Sequence, residues 1–164
     1  MPAGLNFGFG LQRIVDAQMR YVRNAHTVYL RLRNFPDLQA VSQAVQLGFA
    51  LTPSGTNQVG VQDIQIDPPP SVKMISIHNI GQSMGKLRFG ARQFLISGSF
   101  VDRQVAQQGL SNQDLVFRAP NVVGLVVDNQ LFSIENIAHE ELAGKTVIWT
   151  LLCNAPETIQ PGTA

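Results

Sequence analysis

A histidine, two glutamates and the single cysteine of the chain are the residues whose types could do chemistry. His139, Glu140 and Glu141 begin the zinc-binding sequence His-Glu-x-x-His, in which one face of a helix presents two histidines to the metal. Ala143 occupies the position of the second histidine, and residues 138–144 have the composition of a polar turn. The sequence therefore predicts no metal site at this motif.

Cys153 would act as a nucleophile only beside a base and in a cationic setting that stabilises the thiolate. It shares a predicted strand face with Trp149 and Leu151, which indicates a small core residue instead. No sequence pattern couples it to any of the three histidines, which lie in separate predicted elements: His26, His78 and His139. The chain also lacks the glycine patterns of nucleotide-binding loops and the Gly-x-Ser-x-Gly elbow. We therefore expect no enzyme and no cofactor.

The composition indicates one domain with an unusually uncharged surface. The chain has 164 residues, of which 14% are charged and 45% are hydrophobic. No apolar run reaches the ~20 residues of a membrane helix and no secretory signal is visible, so we expect no membrane partner. The single cysteine excludes an internal disulfide and indicates synthesis in a reducing cytoplasm. So few charges favour a subunit of a homo-oligomer, with a compact monomer as the alternative.

Charge is distributed unevenly along the chain. Residues 1–33 carry five arginines against Asp16, whereas residues 121–164 carry five acidic residues against Lys145. This polarity suits head-to-tail contacts between copies or a basic face for an acidic partner. Folding could also bring the two ends together, so that their charges cancel.

The periodicity of apolar residues predicts a mainly-β domain that follows an N-terminal helix. The helix is predicted at about residues 11–23, where six residues form one stripe: Leu11, Ile14, Val15, Gln18, Met19 and Val22. Off the stripe, Asp16 is placed to pair with Arg20. Strands are predicted at 26–33, 44–52, 61–66, 72–80, 86–101, 122–127, 131–137 and 145–153.

The strands imply a small barrel or sandwich of about seven or eight strands, with a mixed α+β fold as the alternative. Within the 86–101 strand, Gly90 is placed to allow a bend. The 72–80 strand is predicted to be central, and a short helix is allowed at 102–108. Pro68, Pro69 and Pro70 should form an extended connector outside the sheet. Residues 1–156 then make a single domain, and 157–164 a tail.

One group of basic residues could contact phosphate, because it surrounds an aromatic residue that could stack on a base. Its members are Arg31, Arg33, Lys86, Arg88, Phe89 and Arg92. The sequence pI of about 8.0 is lower than a dedicated nucleic-acid-binding domain shows. The same residues could instead form a charged strand face or pair with carboxylates of a neighbouring subunit.

The last third of the chain resembles the closing β-meander of small neck proteins of tailed bacteriophages, the head-completion or head–tail connector proteins. Residues 114–155 read DLVFRAPNVVGLVVDNQLFSIENIAHEELAGKTVIWTLLCNA. The family pattern is a hydrophobic strand, a short turn that begins with aspartate, an aromatic strand and a final strand. It appears here as Val126-Val127-Asp128-Asn129, Leu131-Phe132-Ser133-Ile134 and Val147-Ile148-Trp149-Thr150-Leu151.

This resemblance implies a structural virion protein without catalytic residues, assembled in the host cytoplasm. Copies would form a ring or adaptor at the neck, in contact with portal, adaptor or tail proteins, and DNA would pass through it with only non-specific contact. Glu135, Glu140 and Glu141 could line such a channel and repel DNA. A tail or baseplate component and a small nucleic-acid-binding β-barrel are the alternative functions.

Overall fold

The protein is described by a computed structural model that covers residues 3–21, 26–33, 60–75 and 90–156. Three helices and seven strands are present in these ranges. The helices are α1 (Ala3–Tyr21), α2 (Gly98–Gln108) and α3 (Leu115–Arg118). The strands are β1 (Val28–Arg33), β2 (Val61–Gln65), β3 (Ser71–Met74), β4 (Arg92–Ser97), β5 (Val122–Val127), β6 (Gln130–Leu142) and β7 (Lys145–Asn154). None of the helices in these ranges is long and apolar enough to cross a membrane.

The seven described strands form one antiparallel sheet that curls into a half-barrel, in the order β2-β1-β5-β6-β7-β4-β3. The mainly-β fold with an N-terminal helix, predicted from the sequence, is therefore confirmed. Strands β5, β6 and β7 are consecutive in the chain and adjacent in the sheet, so they form a meander. This meander occupies the middle of the described sheet and joins its two halves.

The core lies against one face of the curled sheet. Strand β7 contributes the alternating residues predicted from the sequence, and Trp149, Leu151 and Cys153 are all at most 1% exposed. Helices α2 and α3 close the core with Phe100, Val101, Val116 and Phe117. The ring centres of Phe117 and Trp149 lie 5.7 Å apart, in a tilted arrangement that is favourable for a pair of aromatic rings.

Two tight turns set the register of the meander. Asp128 and Asn129 have positive φ angles of 51° and 60°, as a two-residue hairpin turn between twisted strands requires. The second turn consists of Ala143 and Gly144 alone, with φ angles of 52° and 72°. The prediction of a turn over residues 138–144 was therefore wrong, because Leu142 still pairs with Lys145 and the strand continues to that point.

The long strand predicted over residues 86–101 is interrupted by a helix. Strand β4 ends at Ser97, whose hydroxyl accepts the N–H of Ser99 at 3.2 Å and caps α2. Phe100 is still buried, but from the helix rather than from the strand. The short helix expected at 102–108 is confirmed and begins earlier, at Gly98.

Other predicted elements differ in position or lie outside the described residues. Strand β3 pairs with β4 alone among the described strands, so it lies at an end of the described sheet and not at its centre. The predicted 44–52 strand, the 76–80 and 86–89 parts of two others and the 157–164 tail lie outside the described ranges. Pro68–Pro70 connects β2 and β3 outside the sheet, as predicted, and the Pro70 carbonyl accepts the His26 N–H at 3.3 Å.

Gly98 allows α2 to begin in direct contact with β7. A Cβ atom at this position would collide with the carbonyl oxygen of Thr146, which is backbone and cannot move aside. We therefore expect Gly98→Ala to lower the free energy of unfolding by about 2 to 3 kcal/mol in urea titration. As a control, Gly10→Ala adds a methyl group to α1 where nothing lies within 4 Å, and should raise stability by up to about 1 kcal/mol. Equal effects of the two substitutions would contradict this contact.

Candidate assembly surfaces

Helix α1 docks on the body of the protein through hydrogen bonds. Gln12 is 5% exposed, and its Nε2 donates to the Thr146 carbonyl at 2.8 Å and to Asp102 Oδ2 at 3.1 Å. Asp102 also receives Gln113 Nε2 at 2.6 Å and pairs with Lys145 Nζ at 2.9 Å. One carboxylate on α2 therefore joins α1, the segment before α3 and the start of β7.

A second polar contact lies one turn further along α1. Asp16 Oδ1 accepts the hydroxyl of Ser99 at 2.9 Å and also the hydroxyl of Ser97. Near the start of the helix, a Cβ at Gly8 would lie 2.8 Å from the Cβ of Lys145, so glycine permits the close approach. The predicted Asp16–Arg20 pair is therefore replaced, since Asp16 faces the body and Arg20 pairs with Asp67 at 3.3 Å.

The polar docking rotates the predicted apolar stripe of α1 away from the body. Among its members, Met19 is 7% exposed but Ile14 is 56% exposed, and Tyr21 nearby is 88% exposed. None of the described α1 side chains belongs to the main core. The predicted stripe therefore includes both a buried and a solvent-exposed residue. The helix boundaries also differ from 11–23, because the helix begins at Ala3 and ends at Tyr21.

The outward side of α1 carries a regular row of exposed residues, here named the helical strip. Its members follow the i, i+4, i+7, i+11 spacing of one helical face: Gly10, Ile14, Ala17 and Tyr21. Arg13 and Arg20 are exposed beside the row, whereas the only acidic residue of α1, Asp16, is turned inward. The strip is therefore apolar, with Arg13 and the Asp67-paired Arg20 beside it.

The three glutamates predicted to line a channel all lie on strand β6 and are exposed. Directly paired residues of antiparallel strands point to the same side, so Glu140 shares a face with Ile148, and Glu141 with Thr146. Glu140 lies on the side opposite to the core face of Trp149, whereas Glu141 lies on the same side as His139 and Trp149, because the extra residue of the register shift is on β7. Glu135 lies at a register shift, where it has no direct partner on β7. The glutamates therefore do not form a single row on one face of β6.

Two of the candidate phosphate-binding residues already form ion pairs within the chain. Arg31 forms two hydrogen bonds of 2.7 Å with the carboxylate of Asp63, whereas Arg33 is exposed. Arg92 lies 3.7 Å from Asp128, with its guanidinium 4.8 Å from the centre of the Phe132 ring. The other three members lie outside the described residues: Lys86, Arg88 and Phe89. Arg31 and Arg92 would have to leave these partners before they could bind a phosphate.

The residues with catalytic potential occupy structural positions. Cys153 is fully buried, and this burial raises the pKa of its thiol, with Glu135 raising it further. The His139 ring packs 4.9 Å from Trp149, and its Nε2 lies 3.5 Å from Glu141. Among the described residues, no group of three or more histidine, cysteine, aspartate or glutamate side chains is placed to hold a metal. Cys153 thus belongs to the core, as the sequence indicated.

A cavity of about 460 Å³ lies between α2 and the first two strands. Its polar lining consists of carboxamides: Gln62, Gln104, Gln107, Gln108 and Asn121. The remaining lining residues among those described are aliphatic, so the described lining provides no acid, base or nucleophile. This cavity therefore gives no support to a catalytic site.

Comparison of the chain with protein-family models, with curated proteins and with solved structures finds no match. The arguments about function therefore depend on the surfaces themselves. The residues that orient α1, above all Gln12 and Asp102, were not identified from the sequence. The partners of Gln12 are 90 and 134 positions away in the chain, and no local pattern marks such contacts.

We expect Asp102→Ala to destabilise the attachment of α1. The substitution removes one ion pair and leaves the partly buried Gln12 and Gln113 donors without this acceptor, so the loss should be about 2 to 3 kcal/mol. Amide hydrogen exchange should show faster exchange in α1 than in β7. The matched control is Asp67→Ala, which removes an exposed pair with Arg20 and should cost less than about 1 kcal/mol. Similar losses in both variants would contradict the role of Asp102.

The Arg31–Asp63 pair predicts a defined acid dependence of stability. Hydrogen bonds from Arg31 lower the pKa of Asp63 below its ordinary value of 3.8. The stabilisation is therefore complete above pH 3.8 and is lost as the pH falls towards the folded-state pKa. We expect Asp63→Asn to flatten this part of the curve of unfolding free energy against pH. An unchanged acid slope in this variant would show that the pair does not contribute.

Proposed function

We propose that this chain is a structural protein of a tailed-phage virion, which oligomerises into a ring or adaptor at the head–tail neck. The observation that carries the proposal is the meander β5–β6–β7, the segment that resembles the closing part of neck proteins. Its two-residue turn at Asp128 and Asn129 and its aromatic strand residue Phe132 correspond to the pattern of that family. In this proposed role the chain binds other subunits and catalyses no reaction.

The exposed surfaces support a role in assembly. Helix α1 presents Ile14 and Tyr21 to solvent at 56% and 88% exposure. Polar residues of the same helix, Gln12 and Asp16, face the body of the protein instead. Exposed apolar residues rimmed by charge are typical of surfaces that contact other proteins. Met74 at 75% and Val61 at 58% exposure lie on the two strands at the ends of the described sheet. A subunit that is buried among neighbours would cover such residues.

Nucleic-acid recognition by the basic group is less well supported. Two of the three described members of the basic group, Arg31 and Arg92, are already paired with Asp63 and Asp128. A protein that neutralises phosphates needs cations that are free to displace counterions. The pairing therefore favours internal stabilisation of the sheet over a phosphate-binding track.

The proposal is tested by locating the chain in purified phage particles. Mass spectrometry of the purified phage particles should detect the chain in a small, fixed copy number. Gold-labelled antibodies in electron micrographs should then mark the junction between head and tail. The absence of the chain from mature particles would contradict a virion role, and labelling at the far end of the tail would contradict the neck position.

A further inference from the structure

The cavity between α2 and the first two strands lies where the core of the half-barrel reaches the surface. Leu32 of β1 belongs to the core and is the register partner of Gln62 on β2, so both side chains lie on the core side of the sheet. Asn121 lies beside them, because its carbonyl accepts the N–H of Arg33 at 2.7 Å. Small-molecule sites are common in such mouths of curled sheets.

Three glutamines of α2 form a hydrogen-bonded chain along the other wall of the cavity. Gln104, Gln107 and Gln108 have the i, i+3, i+4 spacing of neighbouring side chains on one helical face. Gln108 Nε2 donates to Gln104 Oε1 at 2.9 Å, and Gln104 Nε2 donates to Gln107 Oε1 at 3.1 Å. Among the described residues, Gln107 Nε2 and Gln108 Oε1 have no further partner. The chain therefore ends in an unpaired donor group and an unpaired acceptor.

The middle glutamine of this chain is buried at a position where packing alone does not require a polar group. Gln104 is 4% exposed, and a carboxamide can be buried at low cost only when it is hydrogen-bonded. An aliphatic side chain would fill the position without needing partners. Gln104 instead fixes the orientation of Gln107 and Gln108, as a binding site with pre-positioned polar groups requires.

The chemistry of the described lining restricts the class of ligand. Its polar residues are all carboxamides, so it carries no charge. A phosphate, carboxylate or ammonium group would lose water there without gaining a counter-charge. A nucleobase would find no aromatic ring to stack on among the described lining residues. A hydroxyl group both donates and accepts, so it can pair with either end of a carboxamide.

We propose that this cavity binds a neutral saccharide through one sugar ring. Its volume of about 460 Å³ is within the range of small-molecule sites, which is roughly 300 to 1,000 Å³. One hydroxyl of the sugar would accept from Gln107 Nε2 and another would donate to Gln108 Oε1. The carboxamides of Gln62 and Asn121, which have no hydrogen-bond partner among the described residues, would bind further hydroxyls from the strand side.

A compact ring suits this cavity better than an extended peptide. Leu32, Ile64 and Leu110 give the lining an aliphatic part, against which the C–H groups of a sugar ring would pack. The hydroxyls of a sugar surround its ring, whereas successive side chains of an extended peptide point to opposite sides. Sugar binding does not depend on the proposed virion role, because the sugar would bind within a single subunit.

The test is a titration of the isotope-labelled full chain with D-glucose, D-galactose and N-acetyl-D-glucosamine, followed through the side-chain amide signals by NMR. At least one of these sugars should shift the signals of Gln62, Gln107 and Asn121 saturably, at the millimolar concentrations expected for so small a ligand. D-Glucuronate has the ring of glucose with an added carboxylate, and should bind more weakly than glucose.

Methionine substitutions test the two walls of the cavity separately, because methionine is unbranched like glutamine but forms no comparable hydrogen bonds. Gln107→Met and Gln62→Met should each weaken binding of the best sugar by about two- to tenfold, which corresponds to one hydrogen bond. Gln130→Met is the matched control at an exposed position of β6 outside the described lining, and should leave binding unaltered. All three positions are exposed, so circular dichroism should show a folded chain in each variant.

The outcomes distinguish a sugar site from other uses of the cavity. The absence of a saturable shift with any of the three sugars would overturn the proposed site and leave a cleft that holds only water. Saturable shifts with N-acetylglycinamide but with no sugar would assign the cavity to a peptide and contradict the saccharide. Tighter binding of glucuronate than of glucose, or equal losses in Gln107→Met and Gln130→Met, would also contradict it.

Discussion

The attachment of α1 by hydrogen bonds is the constraint on which the exposed surface of this protein depends. Buried polar groups need partners, and the Thr146 carbonyl and Asp102 receive theirs from Gln12 of the helix. Once Gln12 and Asp16 face the body, the geometry of an α-helix requires that residues half a turn away face solvent. Ile14 and Tyr21 are therefore exposed because of the polar contacts, and the apolar outer row follows from the same rotation.

Strand β6 exposes a separate group of residues. Strand β6 pairs with β5 only as far as Phe132, and from there to Leu142 it pairs with β7 alone among the described strands. Its last residues are exposed on both faces, so glutamates at these positions avoid the cost of burying a charge. Register shifts at Glu135 and between Glu140 and Glu141, together with these charges, also discourage unspecific pairing of an open strand edge. The glutamates are thus compatible with a solvent-exposed strand edge.

The sequence predicted the elements whose signals are local. The turn at Asp128 and Asn129 and the buried row of Trp149, Leu151 and Cys153 were identified correctly, because turn chemistry and alternation act over a few residues. The start of the helix that interrupts the predicted 86–101 strand was missed, since a helix was expected only at 102–108, although Ser97 before Gly98 is a capping signal. The side of α1 that faces the body could not be predicted, because it depends on Ser97, Asp102 and Thr146, which are remote in the chain.

The orientation of α1 can be measured directly by thiol labelling. Cys153 is the only cysteine and is buried, so a cysteine introduced at another position reports its own exposure. In dilute protein, the Ile14→Cys variant should react with a maleimide reagent nearly as fast as a free thiol. The Met19→Cys variant should be strongly protected, since this position is 7% exposed. Faster labelling at position 19 than at position 14 would contradict the polar docking of α1 and the surface derived from it.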